Sequence, residues 1–304
     1  MPFKVASVVL FRLRNVRVCP SSIENLSEKI GHSFRTSEQI ESQKPASEIA
    51  TAVVQSAEEL PERVYAQIDG AMLNTENGWE ENKLGIIFDE NDISRNGANE
   101  NERMTIQKKQ LVTSLAQGVD DFKQRFLYWM AKTRANWAKE LIFISDGAAW
   151  IENIIKENYA GCVHILDWFH VKERLWQAAN EIYGDGSPAA RRWVERYKEF
   201  LWSGNEEKVI QRVLRAAKRI RKKQSALFDL YNYLAPRAKM IRYGYFRSKG
   251  YYIGSGAIES VNRYAIQDRL KKAGMKWTIK GANAIAFLRT QYLSGNWDQF
   301  FHDA

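Results

Sequence analysis

Three acids in this chain stand where a carboxylate can work. Asp69 follows the alternating run of "RVYAQIDGAML", Asp146 ends the apolar run of "ELIFISDG", and Glu259 is the lone acid in the first half of "GSGAIESVNRYAIQDRLKKAGMKW", residues 254–277. Each has a plain explanation on its own: a turn at Asp69-Gly70, a helix cap at Asp146, a solvated helix residue at Glu259. Taken together they suggest chemistry, because ligands of α/β sheets bind at the carboxyl ends of strands. Three converging carboxylates in a chain with a polycationic half suit phosphodiester chemistry. Their hard oxygens match Mg²⁺ or Mn²⁺, and two such ions activate a water or a 3′-hydroxyl while neutralising the leaving oxygen.

The elements that must position these acids are legible in outline. Residues 63–73 alternate Val64, Ala66 and Ile68 on one face and read as a strand. "KLGIIFDE" at 83–90 reads as a second strand, joined to the first by "NTENGWEEN" in a hairpin. A polar connection near 91–104 leads to "IQKKQLVTS", a third strand, and residues 119–138 carry helical spacing at Phe122, Phe126, Trp129, Met130 and Trp137. "ELIFISDG" suits a buried strand running into the helix "AAWIENIIKENY", and "CVHILDWFHVKERLWQAANEIYG" repeats the strand-to-helix pattern. From about 185 to 250 the pattern is helical, broken at "GDGSP" and "APRAK". The order predicts an α/β fold with a mixed sheet.

Composition narrows the function classes. The 304 residues are 45% hydrophobic and 12% aromatic, enough for one large core or two smaller ones. No run of about 18 apolar residues occurs and no cleavage pattern follows the short apolar stretch of "MPFKVASVVLFRLRN", so the expectation is a cytoplasmic protein without membrane association. Cys19 and Cys162 lie far apart without a CxxC spacing, and with only 4 histidines neither a disulfide framework nor a zinc ribbon is expected. The charge is divided: residues 188–304 hold 24 Lys and Arg against 9 Asp and Glu, net +15, and residues 1–187 net −6. A field of that kind attracts polyanions, and the interleaved aromatics Trp193, Tyr197, Trp202, Tyr243, Tyr245, Phe246, Tyr251 and Tyr252 could stack on unpaired bases. The competing reading is a set of solvated helical faces over an aromatic core.

The words around the acids carry a resemblance. "YAQIDGAMLNTENGWEENKLGIIF", "ISDGAAWIENII", "ILDWFHVKERLWQAA" and "IGSGAIESVNRYAIQDRLKKAGMKWTIKGANAIAFLR" together resemble the Asp-Asp-Glu (DDE) transposases of bacterial insertion sequences, most closely the ISKra-type family, over roughly residues 60–300. The last segment is the most specific. The resemblance implies a ribonuclease H-like mixed sheet with a large all-helical insertion between the second Asp and the Glu, here 113 positions from 146 to 259. It also implies catalytic and metal-binding roles for Asp69, Asp146 and Glu259, with two Mg²⁺ or Mn²⁺ per active site.

Further expectations follow from it. The cations Lys222, Lys223, Arg263, Arg269, Lys271, Lys272 and Lys276 would hold DNA phosphates, Arg263 being placed at i+4 either to pair with Glu259, the reading slightly favoured, or to touch the scissile phosphate. Asp167 and His170 form an Asp-x-x-His spacing that is similar to one recurring in related transposases with helical insertions. Two readings are equally open: a helix cap beside a hydrogen-bonded core histidine, or an auxiliary pair whose imidazole contacts DNA or orients a ligand without being catalytic, a metal-ligand role not being favoured. Residues 1–60 are expected to be a partial helix-turn-helix-like remnant and linker, short beside the family, with a simple linker helix an equally open reading. Its helix would start at Pro20-Ser21, with Ile23, Leu26 and Ile30 inward and Ser22, Glu24, Asn25 and Lys29 outward. The remaining divisions are 61–184 and 251–304 for the catalytic domain and 185–250 for the helical insertion. The implied partners are double-stranded DNA, both element ends and target, and further copies of the chain assembled on it in the bacterial nucleoid. The implied activity is metal-dependent strand cleavage and strand transfer. The alternatives are a catalytically idle DNA-binding remnant and a ribonuclease H-like nuclease without strand transfer.

Overall fold

The computed structural model describes residues 2–44, 48, 59–96, 103–219 and 224–299. Its strands form a five-stranded mixed sheet in the order β5-β2-β1-β6-β7 and a separate two-stranded hairpin, β3-β4. These strands are β1 Arg63–Thr75, β2 Gly78–Asp89, β3 Ile93–Asn96, β4 Arg103–Ile106, β5 Gln110–Leu115, β6 Glu140–Ser145 and β7 Val163–Leu166. The chain divides into two compact units, Met1–Leu141 with Gly256–Ala304, and Ile142–Ser255. The described residues of 1–60 therefore belong to the same compact unit as β1 to β5, and the described residues of 185–250 to the one that starts at Ile142.

In the first unit β1 and β2 pair antiparallel over their whole length, Asp69 opposite Leu84 and Thr75 opposite Gly78. Gly78 turns the corner at φ 103°, a conformation that glycine adopts without the Cβ clash other residues meet. "LGIIF" is buried on both faces of the sheet, as a continuous apolar run in a central strand should be. Gly85 is obligatory there: a Cβ would lie 2.7 Å from the ring of Phe126, which α3 (Gly118–Lys132) lays on the sheet with Phe122. The third expected strand begins at Gln110, later than the pattern suggested. The stretch read as a polar connection near 91–104 holds β3 and β4, paired Ile93 to Ile106.

Two helices precede the sheet, α1 (Phe3–Arg14) and α2 (Pro20–Ser42). The helix start at Pro20 agrees with the sequence, and Ile23 and Ile30 are part-buried, but the expected inward face fails at Leu26. Leu26 is 59% exposed, and the buried positions are Gly31, Arg35, Glu38 and Ser42. They recur at helical spacing and form one stripe. Gly31 permits the packing, since a Cβ there would stand 2.5 Å from the carbonyl oxygen of Ala284 on α12 (Ile279–Leu293). Arg35 and Glu38 enter a buried ion network with Asp121 and Arg125 of α3, at 2.8 Å and 2.5 Å respectively.

In the second unit β6 and β7 run parallel, Ile142 beside Val163 and Ser145 beside Leu166. Around them lie α4 (Ala149–Asn158), α5 (Trp168–Tyr183), α6 (Pro188–Trp202), α7 (Glu206–Arg219), α8 (Gln224–Leu234) and the short α9 (Tyr243–Ser248). Val194, Leu201, Val209, Val213, Leu227 and Leu234 are fully buried, so each long helix turns an apolar stripe inward. Ser187 caps α6 by accepting from the Ala190 N–H at 3.1 Å, with Pro188 at the first helical position. No helix among the described residues is long and apolar enough to cross a membrane.

Candidate functional site

The first unit brings Asp69 and the Glu259 helix together. Gln67 and Asp69 lie two apart on β1 and so present their side chains on the same face. Gln67 is fully buried, and its Oε1 accepts from the Ile258 N–H at 3.0 Å. Asp69 Oδ2 accepts from Asn262 Nδ2 at 2.8 Å. The two contacts span 191 and 193 positions of sequence and fall on either side of Glu259. Glu259 itself is exposed, in the first turn of α10 (Gly256–Val261).

After Val261 the helix widens into a π-turn, Asn262–Gln267, before the single turn α11 (Asp268–Leu270). Such turns occur frequently at functional sites, where the extra residue re-aims a side chain. Here it accompanies Asn262, 3% exposed, against the Asp69 carboxylate. The Asn262 Oδ1 is buried without a hydrogen-bond donor among the described residues. An orphaned amide oxygen beside a carboxylate is a donor set that fits a hard divalent cation.

Asp146, in the second unit, follows the last residue of β6. Its Oδ1 accepts from the Ala148 N–H at 2.8 Å, an Asx-type turn rather than a cap of α4, whose N-cap is Ala148. Oδ2 has no hydrogen bond among the described residues, so half of the carboxylate is available to a ligand. The backbone around it is fixed from α8 and the 3₁₀ segment after it. Tyr233 Oη donates to the Asp146 carbonyl at 2.8 Å, and Arg237 Nη2 to the Gly147 carbonyl at 2.9 Å. Gly147, at φ 82°, leaves room for Arg237, whose Nε would meet a Cβ at 2.8 Å.

Asp167 is fully buried and caps α5, its Oδ2 accepting from the His170 N–H at 2.9 Å and contacting His170 Nδ1 at 2.7 Å. Its Oδ1 accepts from the Ser255 N–H at 2.6 Å. Burial works against ionisation of this carboxyl, but the hydrogen bonds from the His170 ring and backbone and from Ser255 hold it below its usual range. The same side-chain bond, opposed by burial and helped by the charges of Asp167, Asp146 and Glu173, raises His170 from 6.5 to about 9. The cap reading is therefore correct for Asp167, and His170 is a half-buried cation near neutral pH. Its raised pKa gives a signed expectation: the stability due to the pair is complete below about 6.5 and lost as pH rises through about 9. Wild type should exceed His170→Gln in unfolding midpoint by several degrees at pH 6 and by much less at pH 10. Proton titration of the ring by NMR gives the midpoint independently.

The expected phosphate-binding cations separate. Lys271, Lys272, Lys276 and Arg263 are exposed, and Arg263 makes no ion pair among the described residues, so the favoured pairing with Glu259 is not observed. Arg269 is 6% exposed, its guanidinium stacked over Phe3 at 4.4 Å and Trp277 at 5.2 Å. Burial removes it from the surface a phosphate can reach, which corrects its expected role. Lys222 and Lys223 lie outside the described residues. Of the aromatics, Tyr197, Tyr243, Phe246 and Tyr251 belong to the core, and Trp202 and Tyr245 are about two-fifths exposed under Arg247 and Arg242.

The sequence reading missed Gln67, Asn262, Tyr233 and Arg237. For the first two a signal was present: Gln67 shares the strand face of Asp69, and Asn262 lies at i+3 from Glu259. Nothing local marks Tyr233 or Arg237. Neither a scan against protein-family models nor a search of the curated proteins gives a match to the chain.

Proposed function

We propose that the chain is a DDE transposase of a bacterial insertion sequence, cleaving DNA at the element's ends and joining the freed 3′-hydroxyl to target DNA. In this reading the mixed sheet is ribonuclease H-like, Asp69, Asp146 and Glu259 are the catalytic set, and the chain works as a homo-oligomer on double-stranded DNA in the nucleoid. The single observation that carries it is the pair of contacts from Gln67 and Asp69 to Ile258 and Asn262, which seats the Glu259 turn against the strand of the first acid. Asp146, with one oxygen bonded to the Ala148 N–H and the other unbonded among the described residues, supplies a third carboxylate. Two Mg²⁺ or Mn²⁺ held by these carboxylates would activate the attacking oxygen and neutralise the leaving one.

The protein's own groups do the rest. The Asx turn fixes Asp146, and the amide of Asn262 holds the Asp69 carboxylate in one rotamer, so neither acid needs to reorganise when substrate arrives. Arg263, Lys271, Lys272 and Lys276 place exposed positive charge downstream of Glu259 for the phosphates of the DNA. His170, held by Asp167, serves as a positioning cation.

The test is a strand-cleavage assay with the protein and DNA carrying the element's own ends, run with Mg²⁺ and with Mn²⁺. Nicked ends joined through a 3′-hydroxyl to target DNA are the expected products. Nicking without joined product would support the nuclease reading, and binding without nicking in either metal the idle remnant.

A further inference from the structure

Trp79 is 61% exposed although it belongs to a hairpin that is otherwise firmly built. It stands on β2 just past the turn, and the turn is stapled to the basic loop that follows α11. Asn74 Nδ2 donates to the Met275 carbonyl at 3.2 Å, the Trp277 N–H to the Asn74 carbonyl at 3.2 Å, and the Glu76 N–H to the Trp277 carbonyl at 2.8 Å. Thr75 and Trp277 form a parallel bridge, and Trp277 is itself 7% exposed, tied by its indole N–H to the Leu270 carbonyl at 3.1 Å. The loop thus presents Lys271, Lys272 and Lys276 from a fixed backbone, with Lys271 Nζ 5.7 Å from the Trp79 ring centroid. Of the acids in this stretch, Glu76 accepts from the Ile279 N–H at 3.4 Å and Glu81 pairs with Lys83 at 2.7 Å.

We propose that Trp79, flanked by Lys271, Lys272 and Lys276, is a stacking site for an unpaired nucleotide, the indole taking the base and the lysines the neighbouring phosphates. An indole face in water beside several exposed ammonium groups matches a base attached to a polyanion, and stacking tolerates any base because every base has a π face. A paired base is already stacked within its duplex, so the site favours frayed, nicked or single-stranded DNA over intact duplex. The inference rests on the DNA reading for the kind of polymer, but it concerns residues other than the three acids and is measured without metal.

The experiment is equilibrium binding, without divalent metal, of the full chain to a mixed-sequence single-stranded oligonucleotide and to the duplex of the same sequence, for wild type, Trp79→Ala and Trp79→Tyr. Trp79→Ala should weaken single-strand binding about tenfold, the size of one base–aromatic stack, and leave duplex binding within about twofold. Trp79→Tyr should retain most of the wild-type affinity. Equal losses on both DNAs, no loss on either, or a loss in Tyr as large as in Ala would overturn the inference while leaving the catalytic reading standing. So would unchanged DNA affinity with loss of self-association, which would assign the indole to a protein interface. A wild-type chain that binds neither DNA removes both readings.

Discussion

Arg125→Met is expected to cost about 3–5 kcal/mol of stability, a large part of the roughly 5–15 kcal/mol that holds a typical domain folded. Arg125 is 1% exposed and faces Glu38 at 2.5 Å, while Trp129 Nε1 and Gln291 Nε2 donate to the same carboxylate at 2.9 Å and 3.1 Å. Removing the guanidinium leaves a buried negative charge whose closest counter-ion is gone, which is far more costly than never having had the pair. Burial already raises Glu38, so in the variant a proton is the readiest replacement for the lost cation. The deficit should shrink as pH falls and the carboxyl neutralises. The double variant Arg125→Met/Glu38→Leu should recover most of the loss, since it removes both charges. Urea unfolding followed by circular dichroism measures all three chains, and a single-variant loss under about 1 kcal/mol would show that the network is solvated enough to dispense with its cation.

Asp69→Asn is expected to lower Mg²⁺-dependent strand cleavage by about 10³-fold or more, equivalent to roughly 4 kcal/mol of transition-state stabilisation. The amide keeps the shape and can still accept from Asn262, so folding should be unaffected, but a neutral oxygen is a poor ligand for a hard dication. Asn262→Ala separates holding from ligating. It leaves the Asp69 charge and removes its 2.8 Å donor, and an outer partner of that kind is worth about 10–100-fold. Single-turnover cleavage rates give the ordering wild type, Asn262→Ala, Asp69→Asn. An Asn262→Ala enzyme slower than Asp69→Asn would mean that Asn262, not the carboxylate, carries the chemistry on this strand.

What could be read beforehand depended on how local the signal was. The break at "GDGSP" falls where Ser187-Pro188 opens α6, and the cap reading of Asp167, left open by the sequence, is the one that opens α5. Runs such as "LGIIF" and "LIFIS" became buried strands because continuous apolar sequence has few other places to go. The buried face of α2 could not be found by hydrophobic periodicity, because Gly31, Arg35, Glu38 and Ser42 are small or polar and are buried by close approach and ion pairing. Leu26, which the period placed inside, is exposed for the same reason. Arg269 looked like its neighbours Lys271 and Lys272, and only packing against Phe3, some 260 positions away, distinguishes it. The π-turn and the partners of Gln67 and Asp69 depend on contacts across nearly 200 positions, and no window of sequence contains them.

The central claim is that the acids serve phosphoryl transfer on DNA the protein already holds, and Asp146→Asn tests it most directly. Binding and cleavage are measured on one DNA carrying the element's ends, at protein concentrations that saturate both wild type and variant. The account predicts equal binding and at least a 10³-fold loss of cleavage in Mg²⁺, about 4 kcal/mol in the barrier, because the exposed cations are untouched while a ligand with an available oxygen is neutralised. Cleavage by Asp146→Asn at the wild-type rate would contradict it.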